Sequence, residues 1–190
     1  MAIQLILASA SPRRLQLLKQ AGITPTKIIP AEIDETLLKA ELPDKHALRL
    51  AEAKAALIAE KHPNAIVLAA DTVVARGRRI LPKAEDEKAA RQCLELLSGR
   101  RHRVYTGICV MQKNEARHTL VMTAVRFSRL SAKEIDRYMA SGEWQGKAGG
   151  YTIQGKAEAF IPWISGSHSN VVGLPLAETC HMLKIMGFQW

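Results

Sequence analysis

The apolar residues of this chain fall into two alternating rhythms, short unbroken runs and helical spacings. Ile3–Ala8 is apolar except for Gln4 and is followed by Ser9, which predicts a buried strand. Ser11-Pro12 has the form of an N-cap followed by proline at the first helical position. It predicts a helix to about Gln20, closed by Ala21-Gly22. Thr26–Ile29 predicts a second strand, followed by the acidic turn Ile33-Asp34-Glu35-Thr36. Pro43–His62 keeps a helical period until Pro63 stops it. Ala65–Ala70 is another apolar run and predicts a strand ending at Asp71. Thr72–Ala75 and Ile80–Leu81, around Arg76-Gly77-Arg78-Arg79, predict a hairpin.

Further along, Asp86–Leu97 is helical and ends at Ser98-Gly99. Arg103–Gln112 and His118–Phe127 read as long strands paired around Lys113–Arg117. Ser131, with Glu134 at the matching offset, has the signature of a capping box on a helix to about Ala140. A glycine-rich loop at Gly146–Gly155, a strand at Ala159–Ile164 and a helix from about Leu176 to Met186 complete the chain. Strands and helices alternating in this way predict an α/β fold: a mixed sheet with flanking helices. One domain over residues 1–190, with two lobes facing across a cleft, accommodates the whole pattern.

Composition narrows the partners. The chain has 27 basic and 18 acidic residues and a net charge of +9. That balance favours polyanions (nucleotides, nucleic acid or anionic lipid) or simply describes a solvated basic surface. Aromatic residues make up 5%, and no recognition-helix motif interleaves with Arg76–Arg79 or Arg100–Arg103. Few stacking platforms are left for single strands, which argues against nucleic acid as the main partner. Cys93, Cys109 and Cys180 are an odd, widely spaced set without a C-x-x-C pair, the pattern of a reduced compartment. No basic segment precedes the first apolar run, and no run approaches the ~18 residues that a membrane span needs. The expected location is the cytoplasm, with no membrane partner.

Candidate chemistry begins at Ser9-Ala10-Ser11-Pro12-Arg13-Arg14, where a strand turns into a helix. A helix N-terminus presents free N–H groups and the positive end of a dipole, so it suits phosphate. Ser9 and Ser11 add donors, and Arg13 and Arg14 add planar forks matched to phosphate oxygens. Cations in a first turn oppose the dipole, so a pair of them asks for an anion. Asp71 follows an apolar strand, and ligands of open α/β sheets sit at strand carboxyl ends. It could equally serve as a turn or cap residue. With Glu35 it would form a pair of carboxylates suited to a hard cation, Mg2+ or Mn2+, shared with phosphates. The histidines show no zinc spacing. Lys54 falls in the apolar stripe of its helix, where it must either snorkel out or meet a buried anion. Gly150–Ala157 nearly matches a P-loop but fails at Ala157 and leads away from a helix, so it is not one. Its glycines suit close approach of backbone to a ligand, with Gln154 available to read a base edge.

In order and spacing, several segments together resemble the Maf family of nucleoside triphosphate pyrophosphatases over nearly the whole chain. They are Leu7–Arg14, Ile33–Thr36, Lys54, Ala70–Val73, Lys83, Ser98–Gly107, Gly149–Gly155 and Ser169–Leu176. The resemblance implies cleavage between the α and β phosphorus atoms, giving a nucleoside monophosphate and pyrophosphate. It also implies an elongated two-lobed fold with a twisted mixed sheet and a central cleft, similar to the inosine triphosphate pyrophosphatases, and a homodimer. By the same resemblance Asp71 would accept a proton and, with Glu35, hold a divalent metal, while Ser9, Arg13, Arg14, Lys54 and Lys83 would bind the triphosphate. Tyr151-Thr152-Ile153-Gln154-Gly155 is similar to the branch acting on dTTP and UTP, in which Arg13, Thr72 and Gln154 match specificity positions. The alternatives are 7-methyl-GTP or another modified nucleotide as substrate, and the nucleic-acid or septum role to which the family is linked by name. Where the family usually has Gly-Lys-Pro, this chain has Pro82-Lys83-Ala84.

Overall fold

A computed structural model describes residues 3–113 and 115–190. The strands are β1 (Leu5–Leu7), β2 (Lys27–Ile28), β3 (Ile66–Arg76), β4 (Arg79–Leu81), β5 (Arg101–Gln112), β6 (Glu115–Arg126) and β7 (Trp163–Ser165). The helices are α1 (Pro12–Gln20), α2 (Pro43–Lys61), α3 (Glu87–Leu97), α4 (Ala132–Met139), α5 (His168–Val172) and α6 (Leu176–Ile185). Along the sheet the order is β2-β1-β3-β5-β6-β7, with β4 also paired to β3. The β1–β2 and β1–β3 ladders are parallel and the others antiparallel. The mixed α/β sheet with flanking helices is the fold that the sequence pattern predicts.

The core has three parts. Ile6, Ala8, Val67, Ala69 and Cys109 face α2, which lays down Ala51, Ala55 and Ile58. On the opposite face Leu5, Leu7, Leu68, Ala70 and Ile108 meet α1 and α6. A separate cluster gathers Leu94, Leu97, Phe127, Ile135, Tyr138, Trp144 and Tyr151 around the far half of the sheet, giving the second lobe. The α2 face is built from small residues because the helix lies close to the sheet. A side-chain carbon on Gly107 of β5 would collide with the Ala47 carbonyl.

Three elements differ from the sequence pattern. The strand expected to end at Asp71 runs on to Arg76, with Asp71 paired to Gly107 mid-ladder. A charged residue does not end a strand when its backbone stays in the ladder and its side chain finds a buried partner. The strand expected at Ala159–Ile164 is instead a 3-10 turn at Lys156–Phe160 followed by β7. Pro162 has no N–H to give a ladder, so pairing begins only after it. The five-residue α5 has no counterpart in the sequence reading; Ser167 caps it and Gly173, at φ 130°, ends it. The Ser131–Glu134 capping box is present as expected.

Candidate active site

Along one edge of β3, β1 pairs only as far as Leu68 and β4 begins only at Val74. Its other edge is fully occupied by β5. The unpaired interval holds Asp71 and Thr72, and a cleft of about 390 Å³ opens over it. The cleft exists because β1 stops and turns into α1, the arrangement in which α/β sheets place ligands. Asp71 lies beside this break in the sheet rather than at the end of its own strand.

Strand alternation sends Asp71 and Thr72 to opposite faces. Asp71 joins the α2 side, where Lys54 Nζ donates to its Oδ1 at 2.6 Å. Both side chains are almost fully buried. Lys54 therefore meets a buried anion and does not snorkel. Its Nζ also lies 2.6 Å from Glu35 Oε1, and Lys83 Nζ donates to Glu35 Oε2 at 2.8 Å. Two carboxylates thus converge on one ammonium, with a second ammonium behind them. Partial burial pushes the Glu35 carboxyl up, but hydrogen bonds and charge from Lys54 and Lys83 outweigh it and hold it at about 2.

Thr72 faces the α1 side. Its hydroxyl lies 3.0 Å from Thr106 Oγ1 and accepts from Arg14 at 3.2 Å. Arg14 also donates to Gly173 O at 2.8 Å and to Ser9 Oγ at 2.9 Å. Its guanidinium is committed to protein acceptors, and burial lowers its pKa. Arg13 lines the cleft with no ion-pair partner among the described residues. Burial lowers its pKa too. Ser11 occupies the N-cap of α1 in an extended conformation, yet its side chain makes no capping bond. The first turn of α1 lines the cleft without a side-chain cap.

The far wall comes from the second lobe. The segments around Lys83 and Lys147 are zipped together by Ala84 N to Lys147 O, Gly146 N to Ala84 O and Gly149 N to Pro82 O. This seam fixes the backbone on both sides of Lys83 within the local Pro82-Lys83-Ala84 sequence. Lys147 lines the cleft as well; burial lowers its pKa, and the Arg13 charge lowers it further. A cation that feels a second one across the open cleft marks a positive wall. Gln154 does not line the cleft: it is exposed, and its side-chain oxygen accepts from Thr152, which does.

Some of these groups were not singled out by sequence. Thr106 and Asn170 belong to the scaffold: Thr106 Oγ1 donates to Asn170 O, and the Asn170 amide donates to Val104 O and Thr123 Oγ1. They anchor the turn that brings Gly173 to Arg14. Lys147 carries no local signal beyond its place in a glycine-rich loop.

The Maf-like protein family profile matches residues 4–186. A dTTP/UTP pyrophosphatase of Paramagnetospirillum magneticum is 62% identical over 97% of both chains. The chain belongs to the Maf family. The dTTP/UTP pyrophosphatase of Zymomonas mobilis is 58% identical over 99% of this chain and 94% of its own length. Among solved structures, a HAM1 protein from Coxiella burnetii covers 96% of the Maf-family chain and 99% of its own, with a TM-score of 0.53 at 16% identity. That likeness is one of fold.

The site also fits a hard cation, although among the described residues no three His, Cys, Asp or Glu side chains gather at one point. Glu35 and Asp71 present only carboxylate oxygens, converge on a position now held by a cationic nitrogen, and open onto the cleft. A divalent ion taking two carboxylates and completing its shell from phosphate and water matches that donor set. No helix among the described residues is long and apolar enough to cross a membrane.

Proposed function

We propose that this chain hydrolyses nucleoside triphosphates, dTTP and UTP in preference to others, between the α and β phosphorus atoms. The observation that carries the reading is the charge layout of the cleft. Arg13, Lys83, Lys147 and the uncapped first turn of α1 surround its mouth, while the ionised Glu35 and the buried Asp71 lie at its floor. A polyphosphate meets the cations, and its reacting end reaches the carboxylates. The names of the relatives from Paramagnetospirillum and Zymomonas support the same substrates.

In this mechanism a water oxygen attacks the α-phosphorus in line, and the bond from that phosphorus to the bridging oxygen breaks. Asp71 accepts the water's proton. Lys54 moves between Asp71 and the triphosphate: when drawn to phosphate it leaves the Asp71 carboxylate that it now contacts at 2.6 Å. Arg13, Lys83 and Lys147 stabilise charge on the departing pyrophosphate, the main contribution a protein makes to phosphoryl chemistry. Ser9 and the α1 amides fix one end of the chain of phosphates, and Arg14 holds that turn in place. Glu35 and Asp71 would hold Mg2+ or Mn2+, which when bound would supply neutralisation of phosphate charge and a more acidic water. The 151–155 loop reads the base, with Gln154 held beside the cleft through Thr152. The three cysteines are free, in keeping with action in the cytoplasm.

The test is a panel of common and modified triphosphates, with Mg2+, Mn2+ or chelator, and pyrophosphate quantified. The expected result is fastest release from dTTP and UTP and none with chelator. A clear preference for 7-methyl-GTP would overturn the substrate assignment.

A further inference from the structure

Glu35 sits in an irregular segment that runs from residue 29 to residue 42, and residues 34 to 40 are all exposed. Ile29 and Ala31 pack against the core at its start, but no apolar side chain of residues 34 to 40 is buried, so the course of that part depends on polar contacts. Those contacts converge on one face of α2. Glu41 accepts two hydrogen bonds from the Arg49 fork, at 2.6 Å from Nε and 2.9 Å from the terminal nitrogen. The same carboxylate accepts from Leu38 N at 3.1 Å and lies 2.9 Å from His46 Nδ1. The Arg49 fork reaches further and donates to Thr36 O at 3.1 Å, one residue from Glu35. The Glu41 side chain is only 7% exposed, while Arg49 covers it and stays 32% exposed itself. The turn it closes contains Ala40 at φ 60°, a left-handed conformation that a residue with a side chain adopts only when its surroundings impose it.

We infer that Arg49 and Glu41 are positioning residues that hold Glu35 at the cleft floor from behind. Helix α2 grips the segment at two points. Lys54 takes the Glu35 side chain, and Arg49, lower on the same helix, takes the backbone beside it. Neither Arg49 nor Glu41 lines the cleft, so their effect on a bound cation or phosphate passes through Glu35. This inference rests on the catalytic reading above for its consequence but not for its geometry.

The experiment uses the full chain and the substitutions Arg49→Met, Arg49→Lys and Glu41→Gln, each alone and combined with Glu35→Gln. Amide exchange of residues 34–38 is followed by mass spectrometry in every variant. Arg49→Met is expected to speed that exchange at least tenfold while exchange in β3 and β5 stays as in wild type. Arg49→Lys keeps the charge but not the fork and is expected to restore part of the protection. In turnover, Arg49→Met is expected to lower kcat and raise the Mg2+ concentration needed for half-maximal rate at least tenfold. In the Glu35→Gln background it is expected to add little, because two changes acting through one group are not additive. Unchanged exchange at 34–38, or the same fold-loss from Arg49→Met with and without Glu35, would overturn the inference. If wild-type protein releases no pyrophosphate, the catalytic reading fails, and the exchange data still decide the clamp. If Arg49→Met does not fold, exchange in Arg49→Lys and Glu41→Gln decides it.

Discussion

Asp71 stands directly across the β3–β5 ladder from Gly107, and the bare position at 107 is what brings Lys54 within reach. A side-chain carbon there would meet Ala47 O and Leu48 Cα, so α2 can lie on the sheet only where residue 107 has none. Ala47 and Lys54 share the buried face of α2. Lifting the helix at Ala47 therefore withdraws Lys54 from Asp71. Gly107→Ala is expected to cost ~1–3 kcal/mol of stability, the usual penalty for overfilling a packed site, and to reduce turnover as well. Thermal unfolding and pyrophosphate release read the two effects; an unchanged Tm would show that Gly107 does not set the helix height.

The Lys54–Asp71 pair makes a second prediction. Both partners are buried, so removing Lys54 strands the Asp71 charge, whereas without Asp71 the lysine keeps Glu35 at 2.6 Å. Lys54→Met or Lys54→Ala is expected to destabilise by about 3 kcal/mol in addition to weakening triphosphate binding. Combining Lys54→Met with Asp71→Asn removes both charges and is expected to recover most of that stability without recovering turnover. Urea denaturation of the two single variants and the double variant gives the coupling directly. Losses that merely add would show that the 2.6 Å contact contributes no mutual stabilisation.

Lys54 was legible in the sequence because a lysine inside an apolar helical stripe demands an explanation. The Ser9–Arg14 turn was legible because strand end, proline and paired arginines are all local. The continuation of β3 past Asp71 was not: the counter-ion that keeps a charged residue inside a strand sits on α2, and periodicity carries no record of it. The scaffold roles of Thr106 and Asn170 were invisible for a similar reason. Thr106 donates to a carbonyl 64 positions away, and Asn170 to one 66 positions away. The different duties of Arg13 and Arg14 were also hidden, since adjacent residues in one motif look equivalent until the fold supplies acceptors for one of them.

That difference is testable. Arg14 donates to Ser9, Thr72 and Gly173, whereas Arg13 has no ion-pair partner among the described residues. Arg13→Ala is expected to raise KM for dTTP at least tenfold and leave Tm within a degree or two, because it breaks no ion pair among the described residues. Arg14→Ala is expected to lower Tm by several degrees, because it removes three buried or half-buried bonds that join α1 to β3 and the Gly173 turn. If Arg14→Ala changed KM alone, its role would be direct phosphate binding.

Acid sensitivity follows from Glu35 and Glu41. Burial raises the Glu35 carboxyl, but Lys54 and Lys83 bring it down to about 2 from 4.5. The Arg49 fork, chiefly, brings Glu41 to about 2 from the same starting value. In both cases the unfolded chain binds protons more readily than the native one, so stability falls as pH falls. The contribution of each pair is complete above about 4.5 and is lost as the pH drops through about 2. Glu35 is partly exposed, so solvent screening makes its share the smaller. Chemical denaturation between pH 7 and 2.5 is expected to show a plateau at the upper end and a decline that begins near 4.5. Glu41→Gln should be less stable than wild type at pH 7 and should decline less steeply in acid, with Glu35→Gln showing the same pattern more weakly. A decline as steep in both variants as in wild type would mean that other carboxylates govern acid unfolding.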